Sequence, residues 1–145
     1  MTPKFTISRF MQSDAASAAQ VILQFTQREP PADRLKTFLA SDAHLFLVAA
    51  IRDLQVGLAY AYELQRPEGD AMLFLYSIDV LPEYRRQGVA TALLSHLRQL
   101  AAARQIKKLF AFTTHSNKAA VKFYQVTGGV MKNGDDLLFE YPTAE

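Results

Sequence analysis

The stretch Ile78-Asp79-Val80-Leu81-Pro82-Glu83-Tyr84-Arg85-Arg86-Gln87-Gly88-Val89-Ala90-Thr91 brings together residue types that suit an anion. Its apolar start reads as the end of a strand at Val80, followed by a tight loop and a helix beginning near Gly88. The first amides of a helix have no partner within it and point outward, at the positive end of the helix dipole. Gly88 and Ala90 keep that helix start clear of bulky side chains, Thr91 adds a hydroxyl, and Arg85 and Arg86 add positive charge. A phosphate or pyrophosphate suits such a place. The same residues also suit a polar turn that does no more than cap a helix. The stretch is not a Walker loop, because no Gly-Lys-Ser/Thr follows, and with Gly88 alone it does not match G-x-G-x-x-G.

The elements that must position this loop follow from apolar spacing. Lys4–Phe10 alternates apolar and polar residues and predicts a first strand. Ser13 is the expected N-cap of a helix over Ala15–Gln27, and Pro30-Pro31 separates it from a second helix at Ala32–Ala40. His44–Ile51, Val56–Gln65 and Ala71–Val80, separated by turn residues, predict an antiparallel meander. Val89, Leu93, Leu94, Leu97, Leu100 and Ala101 share one face of a helix over Val89–Arg104. A strand at Lys107–Thr113, a helix at Asn117–Thr127 closed by Gly128-Gly129, and a hairpin of Val130–Lys132 and Leu137–Tyr141 about Asn133-Gly134 complete the chain. The order β-α-α-β-β-β-α-β-α-β-β implies an α+β fold: a single mixed, mostly antiparallel sheet with helices on both faces and a right-handed crossover through Val89–Arg104.

Arg85-x-x-Gly88-x-Ala90 after a strand ending in Val80 resembles the Q/R-x-x-G-x-G/A acetyl-CoA signature of the GNAT N-acetyltransferases. A second block, Asn117-Lys118-Ala119-Ala120-Val121-Lys122-Phe123-Tyr124 followed by Gly128-Gly129, resembles that family's N-x-x-A-x-x-F/L-Y helix. The two blocks stand in the family's order, and the resemblance covers nearly the whole chain. Within the family, Gly57–Gln65, Leu75–Ala92 and the end from Gly128 through Phe139 look most like type I aminoglycoside 3-N-acetyltransferases.

The resemblance implies a single catalytic domain over residues 1–145 that moves acetyl from acetyl-CoA to a primary amine by direct attack in a ternary complex. Backbone groups of Ile78 and Val80 would pair with the pantetheine arm, and an N–H near Ile78, at a bulge, would polarise the thioester carbonyl. Arg85, Arg86, Gln87, Gly88, Val89, Ala90 and Thr91 would form the pyrophosphate cradle, and Asn117 would contact the cofactor. Tyr124 would act as the general acid toward the leaving thiolate; its other reading is a core aromatic at helical spacing with Phe123. An amine arrives protonated and needs a base. The carboxylates that relatives carry fall here on Ser77 and Phe74, neither of which can accept a proton. Asp79, Glu63 and Glu140 remain as candidates, or a water chain. Glu63, Ser77, Asp135 and Asp136 are the expected acceptor-side residues, suiting a polycationic acceptor such as an aminoglycoside. A protein amine is the alternative acceptor, and a CoA-binding module without turnover the alternative outside catalysis.

Composition bounds these readings. The chain has 145 residues, is 50% hydrophobic and 21% charged, and has no Cys and no Trp. That excludes a disordered chain, disulfide staples and a cysteinyl relay. The longest apolar runs, Leu45–Ile51 and Met72–Tyr76, fall well short of the ~20 residues of a membrane helix. Met1-Thr2-Pro3-Lys4-Phe5 lacks the basic start and apolar core of a signal peptide, so a cytoplasmic protein is expected. His44, His96 and His115 have no metal-site spacing, and no metal is expected. Net charge is +2, yet Arg85, Arg86, Arg98, Arg104, Lys107, Lys108, Lys118, Lys122 and Lys132 follow one another with no acid between Glu83 and Asp135. This split suggests a site for an anion and, elsewhere, a site for a cation. The basic segment lacks the interleaved aromatics of a nucleic-acid surface, so neither nucleic acid nor membrane is an expected partner. A homodimer is expected, paired through the apolar run Leu137-Leu138-Phe139.

Overall fold

The strand-forming residues assemble into one five-stranded sheet, in spatial order β1-β2-β3-β4-β5, in the computed structural model, which describes residues 5–143. The chain divides into two compact units, one ending at Phe112 and the other starting at Thr113. The first contains β1 (Thr6–Arg9), α1 (Ala15–Thr26), α2 (Ala32–Ala40), β2 (His44–Ile51), β3 (Leu54–Arg66), β4 (Gly69–Val80), α3 (Val89–Ala103) and β5 (Leu109–Phe110). β1 to β4 pair antiparallel in sequence order, and β5 joins β4 in parallel after the α3 crossover. This is the mixed, mostly antiparallel sheet that the spacing predicts.

Side chains alternate across a strand, so each strand serves two layers. On one face Phe46, Val48 and Leu58 pack with Ala18 and Val21 of α1 and Leu35 and Leu39 of α2. On the other lies α3, whose Val89, Leu93, Leu94, Leu97 and Ala101 are buried. Burial of Leu93 and Leu97 contributes roughly 1.5–3 kcal/mol each. A Cβ at Gly57 would stand 2.8 Å from Val89 Cγ1 and 3.1 Å from Leu93 Cδ1, so only glycine lets α3 sit this close to β3.

Three local expectations are corrected. Ser13 does not cap α1. A 3-10 turn over Gln12–Asp14 precedes the helix, Asp14 is the N-cap residue, and its Oδ2 accepts the Met11 N–H at 2.8 Å. β5 is shorter than Lys107–Thr113: it pairs with β4 only at Leu73↔Leu109 and Phe74↔Phe110. Just beyond, β4 carries a bulge at Tyr76, and a bulge bends a strand and ends regular pairing. The terminal hairpin does not form. Its turn exists, with Asp135 N–H donating to Asn133 Oδ1 at 2.9 Å and Asn133 Nδ2 to Asp136 Oδ1 at 2.9 Å, but no flanking strand does. Leu137-Leu138-Phe139 is an unbroken apolar run rather than an alternating one, so it defines no single face to bury, and all three are exposed.

The second unit is built on α4 (Lys118–Val126). Asn117 caps it, its Oδ1 accepting the Ala120 N–H at 3.1 Å. At the other end Gly129 N–H donates to Tyr124 O at 2.7 Å. No helix among the described residues is long and apolar enough to cross a membrane.

Candidate active site

β4 has an edge that nothing in the sheet covers. Tyr60 pairs with Ser77 and Ala61 with Leu75, which leaves Tyr76 as the extra residue of a bulge. Past it, β4 continues to Val80 while β5 has already ended. The direction of the backbone groups follows from one hydrogen bond. Leu81 N–H donates to Val56 O at 2.9 Å, which makes the Val80↔Gly57 pair a non-hydrogen-bonded one. The N–H and C=O of Val80 therefore point away from β3, and by alternation those of Ile78 do the same. These are the two residues to which the family resemblance gives backbone roles, and the bulge lies two residues before Ile78.

At Val80 the edge is capped by the chain's own side chains. Asp79 Oδ1 accepts the Val80 N–H at 2.8 Å, and Arg85 Nε donates to Val80 O at 3.0 Å. Arg85 Nη2 stands 3.6 Å from the same Asp79 Oδ1. Both Asp79 contacts use Oδ1, so Oδ2 has no protein partner among the described residues.

The loop then turns into α3. Pro82–Tyr84 forms a 3-10 turn, Arg86 and Gly88 adopt positive φ of 62° and 84°, and Gly88 is the N-cap residue of the 15-residue α3. No side chain caps that N-terminus. A Cβ at Gly88 would meet nothing within 4 Å, so its glycine serves backbone conformation and leaves the helix start open to a ligand. Arg85, Arg86, Gln87 and Thr91 are exposed around it, whereas Val89 is buried beneath Gly57.

On the α1/α2 face, a cavity of about 270 Å³ opens beside β4. Helices contribute Ile22, Phe25, Thr26, Leu35 and Phe38; the sheet contributes Phe46, Leu58, Tyr60, Tyr62, Ser77 and Asp79. Ser77 and Asp79, expected at the acceptor and base positions, are thus brought together. Because of the bulge, Tyr76 and Ser77 are neighbours in sequence yet both stand toward Tyr60, which stacks on Tyr76 at 5.4 Å between ring centres. Burial pushes the Tyr60 phenol up to about 12, with Tyr62 and Tyr76 adding to the shift. Tyr62 is raised for the same leading reason. Both phenols stay neutral at physiological pH.

Glu63 is not part of this cavity. Its Oε1 lies 3.2 Å from Arg104 Nη1, both side chains are about one-fifth exposed, and Arg104 also holds Asp42 through Oδ1 at 3.2 Å. The carboxylate ties β3 to the end of α3 and is spent there. In the second unit, partial burial raises the pKa of the Tyr124 phenol, keeping it protonated. Asn117 uses its side-chain oxygen on the helix cap. Asp135, Asp136 and Glu140 are exposed.

The aromatic walls are what sequence reasoning missed. Tyr60 and Tyr62 sit two apart on one strand, as do Phe74 and Tyr76 on the next. That period-2 aromatic pattern was available as a signal for one face of a sheet.

No curated protein matches the sequence. Among solved structures, an aminoglycoside acetyltransferase, meta-AAC0020, from an uncultured soil metagenomic sample in complex with sisomicin, is similar at TM-score 0.88 and 19% identity, covering 98% of this chain and 97% of that one. Aminoglycoside N-acetyltransferase AAC(6')-Iy in complex with CoA is similar at TM-score 0.78 and 19% identity over 97% and 95% of the two chains. A ribosomal-protein-alanine N-acetyltransferase from Brucella melitensis biovar Abortus 2308 reaches TM-score 0.76 and 22% identity over 94% and 99%. The profile of the Acetyltransferase (GNAT) family matches residues 13–128, from α1 through the end of α4 and across both compact units. With the family's loop-and-helix motif opening off the bare edge of β4, the chain belongs to the GNAT family of acetyltransferases.

Proposed function

We propose that the protein moves the acetyl group of acetyl-CoA to a primary amine of a small molecule, by direct attack within a ternary complex. The observation that carries this reading is the edge of β4 that no strand covers, where the backbone of Ile78 and Val80 turns outward and Val80 is met only by Asp79 and Arg85, next to the uncapped start of α3. An extended pantetheine arm suits that edge as an added strand. The bulge at Tyr76 suits a backbone N–H aimed at the thioester carbonyl, where donors placed for a developing oxyanion lower the barrier. The amides from Arg86 to Ala90, with Arg85, Gln87 and Thr91 at the rim, suit the pyrophosphate. The match of residues 13–128 across both units supports one catalytic domain over residues 1–145. Asn117 takes a place near the cofactor and Tyr124 the role of general acid.

Aminoglycosides are the finer reading of the acceptor. Sisomicin is bound by a similar structure, and the acids Asp135, Asp136 and Glu140 suit a polycation. The sequence resemblance carries 3-N-acetylation; similarity to AAC(6')-Iy gives 6'-N the same standing, and product analysis decides. Similarity to a ribosomal-protein-alanine N-acetyltransferase keeps a peptide amine in the panel. We take the protein to act in the cytoplasm, as a homodimer.

The test is thiol release from acetyl-CoA with sisomicin, spermidine, phenethylamine and a peptide starting in alanine. Release with one of them, reduced at least 100-fold in Tyr124→Phe, is expected. No release with any amine, despite CoA binding, overturns the transferase reading in favour of a binding module.

A further inference from the structure

We propose that the acceptor is a small monoamine on an aromatic or branched apolar body, with its ammonium at Asp79 and its body in the cavity walled by Phe25, Phe38, Tyr60 and Tyr62. This rests on the acetyltransferase reading and sets a monoamine in the acceptor place against the aminoglycoside that the similar structures suggest.

Charge is the first argument. Asp79 is the one carboxylate among the residues lining the cavity, and its contact with Arg85, 3.6 Å through Oδ1 and half-exposed, leaves Oδ2 open. A polycation carries several ammonium groups, and each one moved out of water needs a partner. The other acid near this region, Glu63, is committed to Arg104. The β4 positions where the sequence resemblance expects carboxylates hold Phe74 and Ser77. One ammonium can be matched at this wall; several cannot.

Shape and surface are the second. The cavity's volume, about 270 Å³, lies just under the roughly 300–1,000 Å³ typical of drug-sized ligands, and suits one ring on a short chain. Phe38 meets Tyr60 and Tyr62 edge-on at 5.8 and 5.6 Å, which sets faces and edges around the space. Such walls favour an apolar or aromatic body, and their π faces also attract an ammonium. Asp79 Oδ2, free while Oδ1 holds Val80 N–H, is the polar anchor at this wall.

The transfer balances as follows. The ammonium at Asp79 sheds one proton to water, and the nitrogen lone pair forms the N–C bond at the thioester carbonyl. The C–S bonding pair leaves on sulfur, which takes the general acid's proton to become the thiol, and the second proton shed by the nitrogen restores that acid. One ammonium and one acetyl thioester give one amide, one thiol and one free proton.

The experiment compares kcat/KM for phenethylamine, spermidine and sisomicin, and titrates phenethylamine calorimetrically into CoA-loaded protein. Phenethylamine should exceed both polycations at least tenfold, and its KM should rise about tenfold in Asp79→Asn and several-fold in Tyr62→Leu. A preference for sisomicin or spermidine overturns the monoamine assignment and leaves acetyl transfer standing. If no amine releases thiol, the transferase reading fails and calorimetry decides the cavity alone. Phenethylamine heat that disappears in Asp79→Asn then upholds the monoamine site while its acceptor role falls, and absence of heat in the wild type overturns both.

Discussion

A tyrosine hydroxyl is a useful acid only if it still holds its proton when the leaving group needs it. Partial burial secures this for Tyr124, because the phenolate is costly to remove from water. If Tyr124 donates to the departing sulfur, the kcat profile of the wild type should show no alkaline limb below pH 10. A limb at lower pH that persists in Tyr124→Phe assigns the titrating acid elsewhere. Asp79 presents a second residue-scale consequence. Its Oδ1 occupies the Val80 N–H, a group that an added strand would need. Net hydrogen bonds are worth about 0.5–1.5 kcal/mol. Asp79→Ala should thus tighten CoA by about threefold in a calorimetric titration while weakening the amine, two opposite shifts from one substitution. From the sequence Asp79 could be named as a candidate, and the fold sets it in the cavity wall. That its oxygen caps the next residue was not legible, because the cap depends on which way Val80 faces, and a bulge at Tyr76 sets that.

Elements were read well where apolar period and burial coincide. The four helices and the β2–β3–β4 meander stand within a few residues of their predicted ends. β5 and the terminal hairpin failed for the same physical reason: a strand is defined by its partner, and no pattern in Lys107–Thr113 or Leu137–Tyr141 reports whether one is there. Gly57 illustrates the reverse case, a residue with no pattern of its own that fixes the site. It lets Val89 approach β3, and so brings the open start of α3 to the end of β4. Gly57→Ala forces a shift of α3 that overpacking costs of about 1–3 kcal/mol predict. Urea denaturation should show that loss, and the Kd for CoA should rise with it. An unchanged Kd would mean that the cradle does not depend on this contact. Glu63→Ala should behave differently. Losing the Arg104 pair should cost about 1–3 kcal/mol in the same denaturation while leaving amine KM within twofold. A selective rise in amine KM would return Glu63 to the acceptor site.

At the scale of the whole molecule, the basic run from Arg85 to Lys132 is less free than its sequence suggests. Arg85 meets Asp79, Arg104 meets Asp42 and Glu63, and Lys107 meets Asp70 at 3.9 Å. Part of the split in charge is therefore used to hold the first unit together. The tyrosines on the sheet face add a dependence that net charge does not reveal. An unfolded tyrosine ionises near its ordinary 10.0, whereas Tyr60 in the fold is pushed up to about 12, first by burial and then by Tyr62 and Tyr76. Between these values the unfolded chain has released a proton that the folded one retains, so rising pH favours unfolding. The contribution is fully present below pH 10 and is lost as pH climbs through about 12. A Tyr60→Phe variant keeps every other ionisable group and lacks this phenol alone. The urea midpoint followed from pH 8 to pH 12 should fall for both proteins and less steeply for the variant. Parallel curves would show that the Tyr60 phenol is as well solvated in the fold as in the open chain, and that the aromatic cavity is wetter than its walls imply.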